Sequence, residues 1–379
     1  MSQESIEKLR VWIREQGIDA FLVFQPQNRT YLSGWAEDDP EAGVLIVGLE
    51  QLFLLTSALY GEVVMHEAPD CQVVVITPSC EYAETHSVQV AREYAHALVP
   101  LAQEHNWKTV GFESSEISYA AYEEYLQAGA DLFTLKPFAD SHVNRLRLVK
   151  RFEEIELLRR AIAITDATFA SICAWIEPGM TEKEVAWEIS RKMVELGADG
   201  NAFPTIIASG PQGSMPHSVP SERRIQRGEL ITIDMGARYK GYCADMTRTI
   251  CLGEPAEPRM REVYDAVLRA MRTCEQNIHA GMSASEADAL ARSVLAEANL
   301  ANFFIHITGH GVGLQVHENP RLSPRVPDYV SLPAGSVVTV EPGVYIPGWT
   351  GTRVEDCVLV KEHGVEVLTQ SPTELVILR

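Results

Sequence analysis

Residues 228–236 read GELITIDMG, and residues 335–343 read GSVVTVEPG. Class matches class across the 107 positions between them: Gly, two spacers, an apolar residue, Thr, an apolar residue, an acid, one spacer, Gly. The alternation predicts a strand in each, with Leu230, Thr232 and Asp234 on one face. A carboxylate that ends an apolar strand is costly to bury without a partner. This chain places one at the same point of both strands, Asp234 and Glu341.

The match extends outward. Gly179-Met-Thr-Glu-Lys-Glu184 recurs as Gly281-Met-Ser-Ala-Ser-Glu286, in each case a helix-ending Gly followed by a capping box that opens the next helix. His217 in Met215-Pro-His-Ser-Val-Pro220 is echoed by His317 in Gln315-Val-His-Glu-Asn-Pro320. Residues about 155–255 and 257–365 therefore read as two copies of a helix-helix-loop-strand unit, paired about a pseudo-twofold axis rather than stacked as a solenoid. Simple duplication explains the helices but not the acids retained in strands. Ahead of the repeat, residues 1–145 alternate helical and strand patterns, as expected of one α/β domain. The pattern predicts helices over 5–16 and most of 81–105, and strands near 20–24, 43–49, 51–56, 72–77 and 109–113. A turn-rich stretch is expected before Tyr31. The basic segment from Asn144 marks the boundary, and a second domain is expected over 150–379.

Composition narrows the function. A net charge of −20 argues against a nucleic-acid or anionic-membrane surface. No apolar run approaches the ~20 residues of a membrane span, and the N-terminus lacks the layout of a signal peptide. Seven cysteines without a CxxC or an even framework suggest reduced thiols in a cytoplasm.

Two further acids, Asp245 and Glu355, are expected inside apolar strands following the repeated pair. If the halves face each other, four carboxylates converge, which like-charge repulsion forbids unless cations are present. Two divalent ions fit better than one. Glycine-flanked His310 adds an imidazole, and one His with carboxylate oxygens favours Mn²⁺, Co²⁺, Fe²⁺ or Zn²⁺ over Mg²⁺ or Ca²⁺. His217 and His317, at matching places in the copies, could donate hydrogen bonds to a developing oxyanion. Cys243 and Cys357 are soft donors by type but read as ordinary buried cysteines.

Ile233-Asp-Met-Gly236, Ala244-Asp-Met-Thr-Arg-Thr249, His306-x-x-x-His310-Gly-x-Gly-x-x-x-His317-Glu318, Val340-Glu-Pro-Gly343 and Arg353-Val-Glu-Asp356 occur in that order. With them the whole chain resembles the M24-type metallopeptidases of the pita-bread fold, in the branch of aminopeptidase P and Xaa-Pro dipeptidase (prolidase). The resemblance implies an α+β pita-bread catalytic domain behind a smaller N-terminal α/β domain of the creatinase/prolidase type. It implies Asp234, Asp245, His310, Glu341 and Glu355 as ligands of two divalent ions, Mn²⁺ first, with Co²⁺, Zn²⁺ or Fe²⁺ as alternatives. It implies His217, His317 and Glu341 as catalytic residues, and His306, Tyr345 and Arg353 on the proline side of the substrate. The implied substrates are small peptides with proline second, and the implied assembly is a homodimer. Creatinase-like relatives have lost the metal set, whereas none of the five positions is substituted here. The departures are a short loop from Tyr345 to Arg353, and Arg151-Phe152 where a small residue usually follows the lysine. A lyase or small-amide hydrolase on the same metal site, and a vestigial binding module, are the alternative functions.

Overall fold

The computed structural model describes residues 3–77 and 89–379. The chain forms two compact units, Met1–Arg147 and Leu148–Arg379. The first is built on a seven-stranded mixed sheet in the order Gln89–Ala91, Gln72–Ile76, Leu52–Ser57, Gly43–Gly48, Ala20–Val23, Thr109–Glu113 and Thr134–Phe138. The unbroken apolar run Val44–Val47 is buried at every position, as expected of a central strand covered on both faces. Leu98 and Leu101 of the helix Tyr94–Glu104 join its core.

Two expectations in this unit need correction. The stretch before Tyr31 is not a turn but the helix Pro26–Ser33, started by Pro26 in its first turn and stopped by Gly34 at φ 86°. The two residues ahead of it are anchored from a distance: Phe24 and Gln25 N–H both donate to Glu113 Oε2 at 2.8 Å. Pro26 and Gly34 are local boundary signals, but the anchor from residue 113 is not. Of the helix expected over most of 81–105, the described residues show Tyr94–Glu104, with Gln89–Ala91 a strand at the sheet edge instead; residues 81–88 lie outside the described residues.

The second unit repeats itself. Helices Phe152–Trp175 and Glu182–Glu195 of the first copy correspond to Pro258–Asn277 and Ala284–Glu297 of the second. Both capping boxes form. Glu184 N–H donates to Thr181 Oγ1 at 3.1 Å and Thr181 N–H to Glu184 at 2.7 Å; the Ser283–Glu286 pair matches at 3.2 and 3.0 Å. Gly179 and Gly281 precede them at φ +92° and +87°, a region costly for any side chain. Thr181→Ala and Ser283→Ala should each cost about 1 kcal/mol in urea unfolding with an unchanged m-value; an effect below a tenth of that would mean the boxes contribute nothing.

Each copy then lays three antiparallel strands side by side. Leu230–Met235 lies between Ile206–Ser209 and Met246–Leu252, and Val337–Val340 between Gly309–Gly311 and Asp356–Lys361. Apolar side chains of these central strands pack under the helices of their own copy, Ile231 and Ile233 in one core and Val338 and Val340 in the other. The two sheets meet where Glu355 N–H donates to Thr247 O at 3.0 Å and Arg248 reaches Asp356 at 2.6 Å.

Asp245 and Glu355 are not inside strands. Each sits in a two-residue break, Ala244–Asp245 before Met246–Leu252 and Val354–Glu355 before Asp356–Lys361. The cause is topological: at each break the chain leaves a small sheet, holding Tyr242–Cys243 or Thr350–Arg353, and enters a larger one. Among the described residues no helix is long and apolar enough to cross a membrane.

Candidate metal centre

Asp234 is the fifth residue of its strand, opposite Thr247 and Ile206, and Glu341 follows the end of Val337–Val340. With Asp245 and Glu355 at the sheet-crossing breaks and His310 on the short strand Gly309–Gly311, all five expected donors converge. Asp234, Asp245 and Glu355 form one group, and His310, Glu341 and Glu355 another, with ligand atoms within 4.8 Å of each other in each. A third group joins Asp245, His310 and His317. His310 Nε2 lies 3.2 Å from Glu341 Oε1 and 3.7 Å from Asp245 Oδ2.

These side chains line a cavity of about 550 Å³ together with His217, His306, His317, Arg321 and Arg353. Tyr345 stands behind it: its hydroxyl lies 2.9 Å from His306 Nε2 and accepts from Arg353 Nη1 at 2.6 Å. Arg353 also donates to Asp234 Oδ2 at 2.6 Å and to Thr247 at 2.8 Å. The nine expected site residues other than Tyr345 thus line one cavity, and Tyr345 is bonded to two of them. His217 and His317 sit at its exposed side. Cys243 and Cys357 belong to none of the donor groups; Cys357 Sγ instead donates to Asp245 O at 3.2 Å.

Burial and like charge set the ionisation of this cluster. Burial, then Glu355 and the other acids, pushes the Asp245 carboxyl well above the usual range. Burial and the charges of Glu341 and Asp234 do the same to Glu355, and burial raises Asp234 despite Arg353. Glu341 alone goes the other way: burial opposes its charge, but the hydrogen bond and charge of His310 outweigh it and hold it down at about 2. Asp234 Oδ1 and Glu355 Oε1 are buried without a hydrogen-bond partner among the described residues. Orphaned carboxylate oxygens in a repelling cluster are the donor set that divalent cations reverse. Four carboxylates and one imidazole match borderline cations better than a thiolate-loving ion.

Several contributors carry no sequence signal of their own. Thr247 donates to Glu355 Oε2 at 2.6 Å while accepting from Arg353. Thr339, in the repeated line, accepts from His310 N–H at 3.0 Å and donates to Glu341 at 3.3 Å. Its counterpart Thr232 instead meets Thr249 at 3.3 Å. Arg321, four residues beyond His317, lines the cavity with no ion-pair partner among the described residues. Its nearness to the paired histidine segment was the available clue.

The model of metallopeptidase family M24 matches residues 156–362, and that of the creatinase/prolidase N-terminal domain matches residues 5–149. The chain belongs to metallopeptidase family M24. It is 37% identical to an uncharacterized peptidase of Bacillus subtilis (YqhT) over 98% of this chain and 99% of the other. A solved Xaa-Pro dipeptidase from Bacillus anthracis superposes with TM-score 0.89 at 37% identity, covering 99% of both chains. An X-Pro aminopeptidase from Thermotoga maritima gives 0.84 at 33% identity, covering 96% of this chain and 98% of the other. The fold is accordingly the pita-bread fold of that family, with its N-terminal companion domain.

Proposed function

We propose that this chain hydrolyses the bond between an N-terminal residue and a proline that follows it, at a centre of two divalent ions held by Asp234, Asp245, His310, Glu341 and Glu355. The observation that carries this reading is the convergence of the five donors, with orphaned carboxylate oxygens, in one cavity. The ions, Mn²⁺ first, supply a water of lowered pKa and a Lewis acid for the scissile carbonyl.

The remaining tasks fall to side chains. Glu341 stays ionised at neutral pH and accepts the proton released by water. His317, held down at about 4 by burial and by His310, is neutral and donates an N–H toward the carbonyl oxygen as charge develops there. His217 offers a second N–H to that oxygen from the other copy. Asp234 meets the substrate's free amine, which restricts cleavage to the first bond. Xaa-Pro is a tertiary amide with a rigid ring and no N–H, so recognition on that side depends on shape. The linked group His306–Tyr345–Arg353 gives that wall a fixed form.

Arg321 bears on substrate length. Arg353 is committed to Asp234 and Tyr345, whereas Arg321 is a cation in the cavity wall with no carboxylate partner among the described residues. A dipeptide brings one, the proline carboxylate. This favours the dipeptidase form of the activity, the form named for the Bacillus anthracis relative. The six described cysteines are free thiols, which supports a cytoplasmic setting, and a homodimer is the assembly that the family resemblance implies.

Glu341→Ala tests the reading. In Mn²⁺-reconstituted protein it should lower kcat on Ala-Pro by at least ~10²-fold, the scale of a lost general base. Full activity in the variant would refute the assignment.

A further inference from the structure

The loops that carry His217 and His317 are closed in different ways. The His317 loop returns directly into its own ladder, with Gly311 opposite Glu318 and His310 opposite Arg321. The His217 loop, residues 210–220, leaves the strand Ile206–Ser209 and comes back at Ser221 without strand pairing. Gly213 is buried against Gly351, but Met215 and Val219, either side of His217, are 48% and 80% exposed, so apolar burial does little to hold the part of the loop that carries His217.

Ser209 is held in the ladder opposite Ile231, and Ser221 O accepts from Lys183 N–H at 3.2 Å, but one carboxylate bonds both ends of the loop. Glu182 Oε1 accepts from Ser209 N–H at 2.9 Å and Ser209 Oγ at 2.7 Å. Its Oε2 accepts from Ser221 N–H at 3.1 Å and Ser221 Oγ at 2.7 Å. The residue is fully buried, at the first position of the helix Glu182–Glu195, where the helix dipole favours an anion. Arg223 Nη1, which donates to Ser209 Oγ at 2.6 Å, brings a cation to the same point. At the matching position of the second copy, 102 residues on, stands Ala284. The carboxylate is present in the copy whose loop lacks a ladder and absent where the ladder does the work.

We propose that Glu182 is a positioning residue for the reaction: by joining both ends of the 210–220 loop it fixes His217 over the cavity. The inference rests on the proposed role of His217 as a hydrogen-bond donor to the substrate carbonyl. Glu182→Gln keeps the volume but turns an acceptor into a donor facing Ser209 or Ser221 N–H, so the tie between the two ends is weakened while their backbone bonds remain.

The test compares wild type, Glu182→Gln, His217→Ala and the double variant, each Mn²⁺-loaded, on Ala-Pro. If wild type fails to cleave Ala-Pro, the functional reading fails and Glu182 is not at issue. Given an active wild type, Glu182→Gln should lower kcat about tenfold, short of the ~10²–10³-fold expected for losing an oxyanion donor, with KM within about twofold. The double variant should be no slower than His217→Ala, and amide hydrogen exchange over 209–221 should quicken. An unchanged kcat, or losses that multiply in the double variant as for independent sites, overturns the proposal. Should Glu182→Gln not fold, Ser221→Ala removes one donor without stranding a charge; it should still lower kcat about threefold, and no loss in the folded variant overturns it equally.

Discussion

Glu355→Gln abolishes hydrolysis of Ala-Pro and, in the same protein, raises the melting temperature of the metal-free form. The first effect follows from losing a carboxylate that belongs to two of the three donor groups. It should exceed the 10–100-fold typical of outer-shell changes. The second follows from the sign of its pKa shift. Burial and the charges of Glu341 and Asp234 raise the folded-state pKa well above the ordinary 4.5. Above that ordinary value the folded chain therefore binds more protons than the unfolded one, and stability falls as pH rises. An amide removes the charge and with it that loss, while keeping the Thr247 hydrogen bond. Wild type should recover on adding Mn²⁺, because a ligand that binds only the folded state stabilises it by mass action; the variant should recover little. Differential scanning calorimetry at pH 7.5 with and without Mn²⁺ reads both. A metal-free variant that melts lower than metal-free wild type would contradict the electrostatic account of the site.

Arg321→Ala raises KM for Ala-Pro by about 10–100-fold and leaves kcat nearly unchanged. A hydrogen bond to a charged group contributes about 1.5–3 kcal/mol, and 1.4 kcal/mol is a factor of ten. The contact is made equally in ground and transition states, so the loss falls on KM. Ala-Pro amide and Ala-Pro-Ala supply the control, since neither offers a carboxylate at that place. Wild type should prefer Ala-Pro to both, and the variant should lose the preference. A variant that weakens all three substrates alike would mean that Arg321 shapes the wall without reading the carboxylate, and the aminopeptidase form would then be favoured.

How much was legible beforehand differs from element to element. The doubled strand with its acid could be read because strand alternation and capping boxes are local patterns, and the duplication displayed each twice. The pita-bread fold followed from the order of the motifs and stands with the family match. Long-range features were not readable. The helix Pro26–Ser33 is anchored at its entry by Glu113, 88 residues from Gln25, and its short Pro- and Asn-containing run reads as a turn. Asp245 and Glu355 read as strand-interior residues because a sheet crossing leaves the apolar pattern unbroken on both sides. Thr247 and Thr339 are ordinary strand residues by sequence. Only the meeting of the two copies brings Thr247 against Glu355 and Arg353. Glu182 carries no signal of its own inside the capping box, because its partners Ser209 and Ser221 lie 27 and 39 residues away.

The central claim is that two copies of one strand, ending in Asp234 and Glu341, form opposite sides of a single two-metal centre. Anomalous diffraction from crystals grown with Mn²⁺, recorded on both sides of the manganese absorption edge, tests it most directly. The account predicts two manganese peaks per chain, both within the cluster of Asp234, Asp245, His310, Glu341 and Glu355, and the loss of at least one in Glu355→Gln. A single peak, or peaks that leave Asp234 and Glu341 on different ions with no shared neighbour, would contradict it.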